Sequence, residues 1–217
     1  MSTPSGLLVA NGELQWSRGL AAAAKRAAPL LAADGGANHL ARIGLRPDAV
    51  IGDLDSIADG VREWVGEERM VRRPDQDRTD LDKSLEHAFA ELGLHRLTVL
   101  GATGGRLDHA VGNLGLLARY SRGEDLVFLE EGRRTLAVTG EAVLQAAEGE
   151  TWSFFTFDPG VRVTLGGVRW PVDDRALDLA GAPSISNEAV ADRVTIRSTG
   201  GAVVIVRCFR DDLRERF

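Results

Sequence analysis

Short apolar runs alternate with amphipathic segments from the N-terminus to about Leu129. Most of these runs are followed by glycine, aspartate or asparagine, a pattern typical of buried parallel strands that end in loops. The predicted strands are Leu7–Ala10, Leu30–Ala33, Ala49–Gly52, Met70–Arg72, Leu97–Leu100 and Leu126–Leu129. The predicted helices are Trp16–Ala28, Ala37–Ile43, Val61–Val65, Leu81–Leu92 and a last one that ends near Tyr120. The alternation predicts an α/β fold, a parallel sheet covered by helices and joined by right-handed crossovers.

Beyond about Arg133 the pattern changes to short β-rich runs with turn residues between them. The predicted strands of this region are Thr135–Thr139, Thr151–Phe157, Val161–Leu165, Val168–Pro171, Val190–Ser198 and Ala202–Phe209. Such a series without a convincing helix is typical of an all-β unit. The sequence therefore predicts two domains, an α/β domain over residues 1–132 and a smaller all-β domain over residues 133–217.

Composition and charge narrow the class of protein. Of the 217 residues, 44% are hydrophobic, which can supply a sizeable core. The formal net charge of −6 disfavours general binding to nucleic acid or to an anionic membrane, because both are polyanions. The single cysteine, Cys208, excludes an intrachain disulfide, and no apolar stretch reaches the ~18 residues of a membrane span. We expect a globular, cytoplasmic protein with neither nucleic acid nor membrane as a partner.

The stretch A-V-I-G-D-L-D-S, Ala49–Ser56, joins an apolar strand to a glycine and two aspartates. Carboxyl ends of parallel strands face the ligand crevice, so Asp53 and Asp55 are expected where a substrate binds. Their spacing of two residues in a turn allows both carboxylates to reach one hard cation. The alternative is that Asp53, Asp55 and Ser56 only cap a helix that starts near Ile57.

Two further loops at strand ends bring aspartate to the same predicted edge of the sheet. They are Pro74–Asp80, with the sequence P-D-Q-D-R-T-D, and Gly101–His109, with the sequence G-A-T-G-G-R-L-D-H. Carboxylates gathered in this way repel one another unless a divalent cation or a positive side chain compensates. Carboxylate ligands without clustered histidine or cysteine favour Mg²⁺ and disfavour zinc.

The turn Gly104-Gly105-Arg106 has the features of a phosphate site. Its backbone N–H groups can approach an anion, and its guanidinium can bind phosphate oxygens in a bidentate manner. The alternative is a tight turn followed by a surface pair between Arg106 and Asp108. His109 is the only histidine near this site. Because neither a P-loop motif nor a G-x-G-x-x-G fingerprint is present, any phosphate chemistry is expected to depend on metal and arginine.

Several of these segments together resemble a known family. They are A-D-G-G-A-N at Ala33–Asn38, G-D-L-D-S at Gly52–Ser56, D-Q-D-R-T-D at Asp75–Asp80, T-G-G-R-L-D-H at Thr103–His109 and S-I-S-N-E at Ser184–Glu188. In order and spacing they are similar to the thiamine pyrophosphokinase (thiamin diphosphokinase) family. The resemblance implies a Rossmann-like parallel-sheet catalytic domain followed by a β-sandwich thiamine-binding domain, in a homodimer. It also implies transfer of the diphosphoryl group of ATP to the hydroxyl of thiamine, with Mg²⁺, giving thiamine diphosphate and AMP.

The resemblance assigns roles to individual residues. Its magnesium-binding acids are matched by Asp53, Asp55 and Asp80. The residues expected to bind the nucleotide are Asp34, Asn38, Gln76, Thr79, Gly104, Gly105 and Arg106. Those expected at thiamine are Trp170, Ser186 and Asn187. Arg106 and Asp108 match the G-R-x-D element of the family and complete the expected catalytic set.

Two points about mechanism stay open at this stage. Asp80 or Asp108 is a candidate to accept the alcohol proton of thiamine, although a carboxylate bound to metal is a poor base. Trp170 either offers an aromatic face to the thiamine cation or is a core residue of a strand that ends at Pro171. In the first case, we expect Trp170, Ser186 and Asn187 to face the acidic site of a partner chain across a homodimer interface.

Three other functions compete with this reading. A diphosphokinase for another alcohol, such as a pterin, would keep the same acids. A phosphohydrolase that forms an aspartyl phosphate would also place D-L-D after a strand, but it needs a lysine, and Lys25 and Lys83 are the only lysines of the chain. A non-catalytic nucleotide-sensing module would be favoured by loss of a metal-binding acid, and none is lost.

Overall fold

The computed structural model describes residues 5–121 and 123–209. Its α-helices are α1 (Arg18–Arg26), α2 (Gly36–Arg42), α3 (Asp59–Val65), α4 (Asp80–Glu86) and α5 (Leu107–Tyr120). Two 3-10 turns, Glu67–Arg69 and Gly123–Asp125, and a π-helical turn, His87–Glu91, complete the helical segments. None of the helices in these ranges has the length and apolar character needed to cross a membrane.

The strands run in chain order from β1 to β12. The first six are β1 (Ser5–Val9), β2 (Leu30–Ala33), β3 (Ala49–Gly52), β4 (Met70–Arg72), β5 (Arg96–Leu100) and β6 (Leu126–Glu130). The remaining strands are β7 (Arg133–Gln145), β8 (Thr151–Phe155), β9 (Arg162–Gly166), β10 (Val172–Ala176), β11 (Ser184–Glu188) and β12 (Arg193–Cys208).

The chain divides into two units. One comprises the described residues up to Asn113 together with Phe128–Glu131, and the other comprises Leu114–Val127 and the described residues from Gly132 onward. The boundary after residue 132 that the sequence suggests remains a prediction.

The first unit is built on a parallel sheet with the strand order β5-β1-β2-β3-β4. The pairs β1–β2, β1–β5, β2–β3 and β3–β4 are all parallel. The first four strands are separated by α1, α2 and α3, as the alternating pattern predicts. Strands β2, β3 and β4 have the predicted bounds. Because these strands are parallel, the loops that follow them leave the same edge of the sheet.

The core of the first unit lies between this sheet and its helices. In α1, Ser17 caps the N-terminus by accepting a hydrogen bond from the Leu20 N–H at 3.3 Å, and Leu20 and Ala24 are buried. These two side chains pack with Val9 and Leu40 in one apolar cluster. Each large aliphatic side chain buried in this way contributes roughly 1.5–3 kcal/mol to the free energy of folding. This packing holds the strand ends, and the loops that follow them, in fixed positions.

The second unit is rich in antiparallel strands, and β12 is central to it. This strand pairs with β7, β8 and β9, while β8 also pairs with β11 and β9 with β10. A buried bidentate ion pair joins Arg207 of β12 to Glu150, with N–O distances of 3.1 Å. Arg207 also lies over the fully buried ring of Trp152, 4.7 Å from its centroid.

Three element predictions need correction. The helix predicted over Leu81–Leu92 is α-helical only to Glu86 and then continues as the π-helical turn. The strand predicted at Val168–Pro171 is wrong, because that segment makes only an isolated bridge, from Val168 to Ala189. The two predicted strands on either side of Gly200-Gly201 form the single strand β12, whose register shifts between Ser198 and Val203. Strand β10 and strand β11, which carries S-I-S-N-E, were not predicted.

Candidate active site

Three aspartates meet at the edge of the sheet of the first unit. Asp34 follows β2, Asp53 follows β3, and Asp80 begins α4. Their carboxylate oxygens lie within 4.8 Å of one another, close enough to share one cation. The predicted convergence of Asp53 and Asp80 is therefore present, whereas Asp34, which the sequence suggested for the nucleotide, occupies the third position. We call these three residues the acidic cluster.

Glycine and backbone strain make this approach possible. A Cβ on Gly52 would lie 2.9 Å from the Cβ of Asp34 and 2.9 Å from Oδ1 of Asp80, so a larger residue would push the acidic cluster apart. Leu54, between the two aspartates of the G-D-L-D-S turn, has a φ of 71° and is buried. For a residue other than glycine this conformation costs of order 1–3 kcal/mol, and such strain concentrates at functional sites.

Asp34 is the buried member of the acidic cluster, with 2% of its surface exposed. The Ser56 N–H donates to both of its carboxylate oxygens, at 3.3 and 3.2 Å. Burial raises the pKa of Asp34, and the negative charge of Asp80 adds to the increase, while the hydrogen bond from Ser56 opposes it. A bound cation would remove the cost of keeping this carboxylate ionised.

Asp53 is more exposed and is held by neighbouring polar groups. Gln76 donates from Nε2 to Oδ2 at 3.2 Å, and the Asp55 N–H donates to Oδ1 at 3.3 Å. Burial acts to raise the pKa of Asp53, but these hydrogen bonds and the positive charge of Lys83 outweigh it and bring the pKa below its ordinary value. Asp53 is thus ionised at neutral pH and presents a full negative charge.

Asp80 is positioned by the start of α4. Thr79 is the N-cap, because its side chain accepts a hydrogen bond from the Asp82 N–H at 3.3 Å, which confirms that a helix begins here. Oδ1 of Asp80 accepts from the Asp53 N–H at 3.3 Å and from Nζ of Lys83 at 3.1 Å. Sequence reasoning missed Lys83, although its position three residues after Asp80 on a helix places both side chains on one face.

Asp55 and Asn38 lie beside the acidic cluster. Asp55 is exposed, does not belong to the cluster and accepts a hydrogen bond from the Ser56 hydroxyl at 3.0 Å. Asn38 donates to the Ser56 carbonyl at 2.9 Å and accepts from the Ala58 N–H at 3.0 Å, so it ties α2 to the turn. The N-cap of α3 is Ala58, without a side-chain cap, so the alternative that the aspartates only cap this helix is wrong.

A cavity of about 420 Å³ opens beside the acidic cluster. The predicted residues along its wall are Asp34, Thr79, Asp80, Gly104, Gly105, Arg106 and His109. Asn11, Glu13 and Asn113 also line it and were not predicted; Asn11 and Glu13 come from the loop after β1, where an N-G pair signals only a turn. The cavity is large enough for part of a nucleotide, and both the carboxylates of Asp34 and Asp80 and the glycine-rich turn line it.

The two glycine-containing loops of the cavity pack backbone against backbone. A Cβ on Gly12 would lie 2.3 Å from the Gly101 carbonyl oxygen, and a Cβ on Gly104 would lie 2.1 Å from that of Glu13. Any other residue at either position would separate the loops. Gly105, with a φ of 81°, completes the turn in a conformation that L-residues rarely adopt.

Arg106 and Asp108 form an ion pair at the surface, with side chains 73% and 63% exposed. The guanidinium is bidentate, with Nε–Oδ1 of 3.1 Å and Nη2–Oδ2 of 2.5 Å. Arg106 lowers the pKa of Asp108 to about 2. The surface pair considered from the sequence is therefore present, and because Arg106 also lines the cavity, its role toward phosphate stays a prediction.

The residues predicted for thiamine lie in the second unit, by the turn before β10 and on β11. Trp170 is 56% exposed, so the alternative that it is a core residue is wrong. Asn187 is buried, and its side-chain amide makes two hydrogen bonds to the backbone of Trp170. It accepts from the N–H at 3.1 Å and donates to the carbonyl at 2.8 Å. Ser186 is exposed, with a φ of 57°, and its N–H donates to the Ser153 hydroxyl at 3.1 Å. Asn187 thus fixes the position of the tryptophan.

The first unit is thus an α/β fold with an acidic cluster and a glycine-rich turn beside one cavity. The family model described as "Thiamin pyrophosphokinase, catalytic domain" matches residues 20–128, and the one described as "Thiamin pyrophosphokinase, vitamin B1 binding domain" matches residues 141–203. The chain belongs to the thiamin pyrophosphokinase family.

Curated relatives agree with this assignment. The chain is 29% identical over 209 residues to thiamine pyrophosphokinase 1 of Oryza sativa subsp. japonica, covering 83% of this chain and 78% of that protein. It is 29% identical over 181 residues to thiamine pyrophosphokinase of Bacillus subtilis (strain 168), covering 80% and 84% respectively.

Solved structures share the fold. The crystal structure of thiamine pyrophosphokinase from Bacillus subtilis has a TM-score of 0.76 at 23% identity and covers 95% of this chain and 99% of that one. The crystal structure of yeast thiamin pyrophosphokinase has a TM-score of 0.79 at 18% identity and covers 98% and 88%. The predicted family and fold class, an α/β domain followed by a β-rich domain, are confirmed.

Proposed function

We propose that the cavity of the first unit binds ATP with Mg²⁺, and that the chain transfers the diphosphoryl group to the hydroxyl of thiamine, releasing AMP. Membership of the family supports thiamine diphosphokinase activity and the class of ATP-dependent diphosphotransferases. The observation that carries the proposal is the convergence of Asp34, Asp53 and Asp80 beside the Gly104-Gly105 turn. One place thereby provides anionic ligands for a cation and backbone N–H groups for phosphate.

The donor set of the acidic cluster fits Mg²⁺. Magnesium prefers oxygen ligands and binds through a few carboxylates while it keeps water and substrate phosphates in its shell. Asp34, Asp53 and Asp80 would hold the ion, and the sequence adds Asp55, from the same turn as Asp53, as a further candidate. When bound, the ion would neutralise phosphate charge and orient the groups that react.

Residues in and around the cavity would place the nucleotide. Gln76 and Asn38, which do not line the cavity, hold the loops that carry Asp53 and Ser56, and Thr79 fixes the start of α4. Gly104 and Gly105 would offer N–H groups to phosphate oxygens. Arg106 would exchange the carboxylate of Asp108 for phosphate. Positioning and electrostatic stabilisation by these residues would then supply most of the rate acceleration.

Proton removal from the thiamine alcohol would fall to Asp108 or Asp80. While Asp108 is paired with Arg106 its pKa of about 2 makes it a weak base. Transfer of Arg106 to the phosphates would return the pKa of Asp108 toward its ordinary value. General-base assistance of this kind is worth about 10²–10⁴-fold in rate.

Thiamine would be recognised by the second unit. Trp170 presents an exposed ring, and attraction of a cation to an aromatic face contributes roughly 0.5–2 kcal/mol. Ser186 lies on β11, and Asn187 holds Trp170 in place. We further propose that the chain is a cytoplasmic homodimer with no nucleic-acid or membrane partner, in which the second unit of one chain faces the acidic cluster of the other.

Product analysis tests the function. The chain is incubated with ATP, Mg²⁺ and thiamine, and nucleotides and thiamine esters are separated by chromatography. We expect equal amounts of AMP and thiamine diphosphate, whereas ADP with thiamine monophosphate, or free phosphate alone, would refute the proposal. A hydroxymethyl pterin supplied in place of thiamine tests the other acceptor class, and its preferential use would reassign the substrate.

A further inference from the structure

Lys83 is a buried cation next to the acidic cluster. Its surface is 2% exposed, and its Nζ lies 3.1 Å from Oδ1 of Asp80. We propose that Lys83 is a positioning residue that orients the carboxylate of Asp80 and sets the charge of the acidic cluster for one divalent cation. The inference rests on the proposed function, because it assigns Lys83 a role in the same metal site.

The hydrogen bonds of Asp80 give the orientation. The Asp53 N–H and the Lys83 ammonium both donate to Oδ1, and within the described ranges Oδ2 of Asp80 receives no hydrogen bond. Oδ2 is therefore the oxygen that remains for a cation. Since Lys83 lies one helical turn after Asp80 in α4, the helix itself fixes the distance between ammonium and carboxylate.

The charge of the acidic cluster leads to the same role. Among the described residues, Lys83 is the only lysine or arginine that is paired with Asp34, Asp53 or Asp80. Its ammonium balances one of the three carboxylates and so lowers the net negative charge that a bound cation meets. Without Lys83, the cluster would attract cations more strongly, but Oδ1 of Asp80 would keep only the hydrogen bond from the Asp53 N–H to orient it.

Packing alone does not explain a lysine at this position. The neighbours Leu81 and Leu85 already bury the apolar face of α4. Burying an ammonium requires desolvation, and an apolar side chain of similar size is often as stable or more stable in such a place. Lys83→Met keeps the length of the buried stem and removes only the charge and its hydrogen bond, so this variant should fold.

The test compares Mn²⁺ binding and turnover in three chains: wild type, Lys83→Met and Lys25→Met. Lys25 is exposed on α1, so its variant removes the same charge away from the cavity. Electron paramagnetic resonance gives the affinity for Mn²⁺ from the free-ion signal and the symmetry of the bound ion from its spectrum. The turnover number is measured at saturating Mg²⁺, ATP and thiamine.

We expect Lys83→Met to bind Mn²⁺ at least as tightly as the wild type, with a changed spectrum, while kcat falls by about tenfold or more. Lys25→Met should match the wild type in all three measurements. Weaker Mn²⁺ binding by Lys83→Met, an unchanged spectrum, or a kcat within about twofold of the wild type would overturn the assignment.

The two proposals fail in different ways. A wild-type chain that binds Mn²⁺ but forms no AMP refutes the proposed function, and affinity and spectrum then decide the role of Lys83 without any turnover. A wild-type chain that binds no Mn²⁺ overturns the assignment of Lys83, while product analysis still decides the proposed function. Lys83→Arg serves as a second variant, because it keeps the charge and should retain more activity than Lys83→Met if it folds.

Discussion

Single residues determine whether the acidic cluster exists. Leu54 adopts a positive φ in the G-D-L-D-S turn and is buried, which leaves Asp53 to extend into the acidic cluster. Gly52 leaves room for Asp34 and Asp80 to approach the turn. The site is therefore assembled by backbone conformations that cost free energy, and its carboxylates contribute charge with little packing.

We expect Asp53→Asn and Asp55→Asn each to lower kcat by at least ~10², because each variant removes charge that the metal needs while it keeps the size of the side chain. Steady-state kinetics at saturating Mg²⁺ measures the loss, and melting temperatures show whether the fold is kept. Asp59→Asn, at the exposed start of α3, is the matched control and should be unaffected. A near-normal rate for either variant would remove that residue from the metal site.

We expect Asp34 to lower the stability of the free protein at neutral pH. Burial and the charge of Asp80 raise its pKa above the ordinary value of 3.8, so the folded chain binds this proton more tightly than the unfolded chain does. The resulting cost is absent below about pH 3.8 and complete once the pH exceeds the raised pKa. Asp34→Asn should therefore melt at a higher temperature than the wild type at neutral pH in EDTA.

Melting curves recorded from about pH 4 to 8 check this expectation, since the advantage of Asp34→Asn should grow with pH. Mg²⁺ should raise the melting temperature of the wild type but not that of the variant. A variant that melts below the wild type at every pH would show that the hydrogen bonds from Ser56 to Asp34 outweigh the cost of its charge.

The sequence predicts where these residues lie better than it predicts which side chains they contact. Asp53 and Asp80 could be brought together from the sequence because both follow strands of one parallel sheet. Whether Asp34 joins the acidic cluster depends on how closely the loop after β2 approaches the loop after β3. Gly52 leaves room for this approach, but a glycine in the sequence does not show that it occurs. Lys83 was missed because a lysine on a helix is normally solvated, and only the packed structure shows that this one is buried.

At the scale of elements, β2, β3 and β4 were predicted with the right bounds and β1, β5 and β6 to within two residues, whereas several strands of the second unit were missed, merged or misplaced. The apolar positions of His87–Glu91 fit a continued α-helix as well as the π-helical turn that forms. Tertiary contacts therefore decide between the two conformations. His87 contacts Glu91 at 2.9 Å, and Glu91 also pairs with Arg73 after β4. The strand at Ser184–Glu188 has exposed apolar and buried polar positions, which hides its character.

The loop that leads into α5 gives a prediction at this scale. Arg106 precedes α5 and pairs with Asp108 in its first turn. Lysine keeps the charge but cannot bind phosphate in a bidentate manner, so Arg106→Lys should raise the KM for ATP or lower kcat by about tenfold. Arg18→Lys, on the exposed surface of α1, controls for the substitution itself. Unchanged kinetics for Arg106→Lys would leave this residue with the surface pair alone.

At the scale of the whole molecule, the proposed homodimer predicts complementation between inactive chains. Asp55→Asn removes an acid of the first unit, and Trp170→Ala removes the exposed ring of the second. If each site combines the two units from different chains, mixed dimers should recover up to one working site of two. Activity is measured after subunit exchange has been verified by native mass spectrometry.

The controls are the two variants mixed without exchange and each variant alone, all of which should stay inactive. No recovery in verified mixed dimers would reject the shared site. The shared site has a physical basis, because the exposed ring of Trp170 can attract the thiamine cation and the acidic cluster can attract the metal ion that binds the phosphates of ATP.

The pairing of β12 also has a consequence for biosynthesis. The ribosome releases β7, β8 and β9 before β12, and each of the three has β12 as a hydrogen-bonded partner along one edge. Until Arg193–Cys208 has emerged, a nascent chain can form the β8–β11 and β9–β10 pairs but carries the long β7 with an open edge. Open strand edges promote aggregation. Translation that stalls before β12 should therefore leave a chain that depends on chaperones.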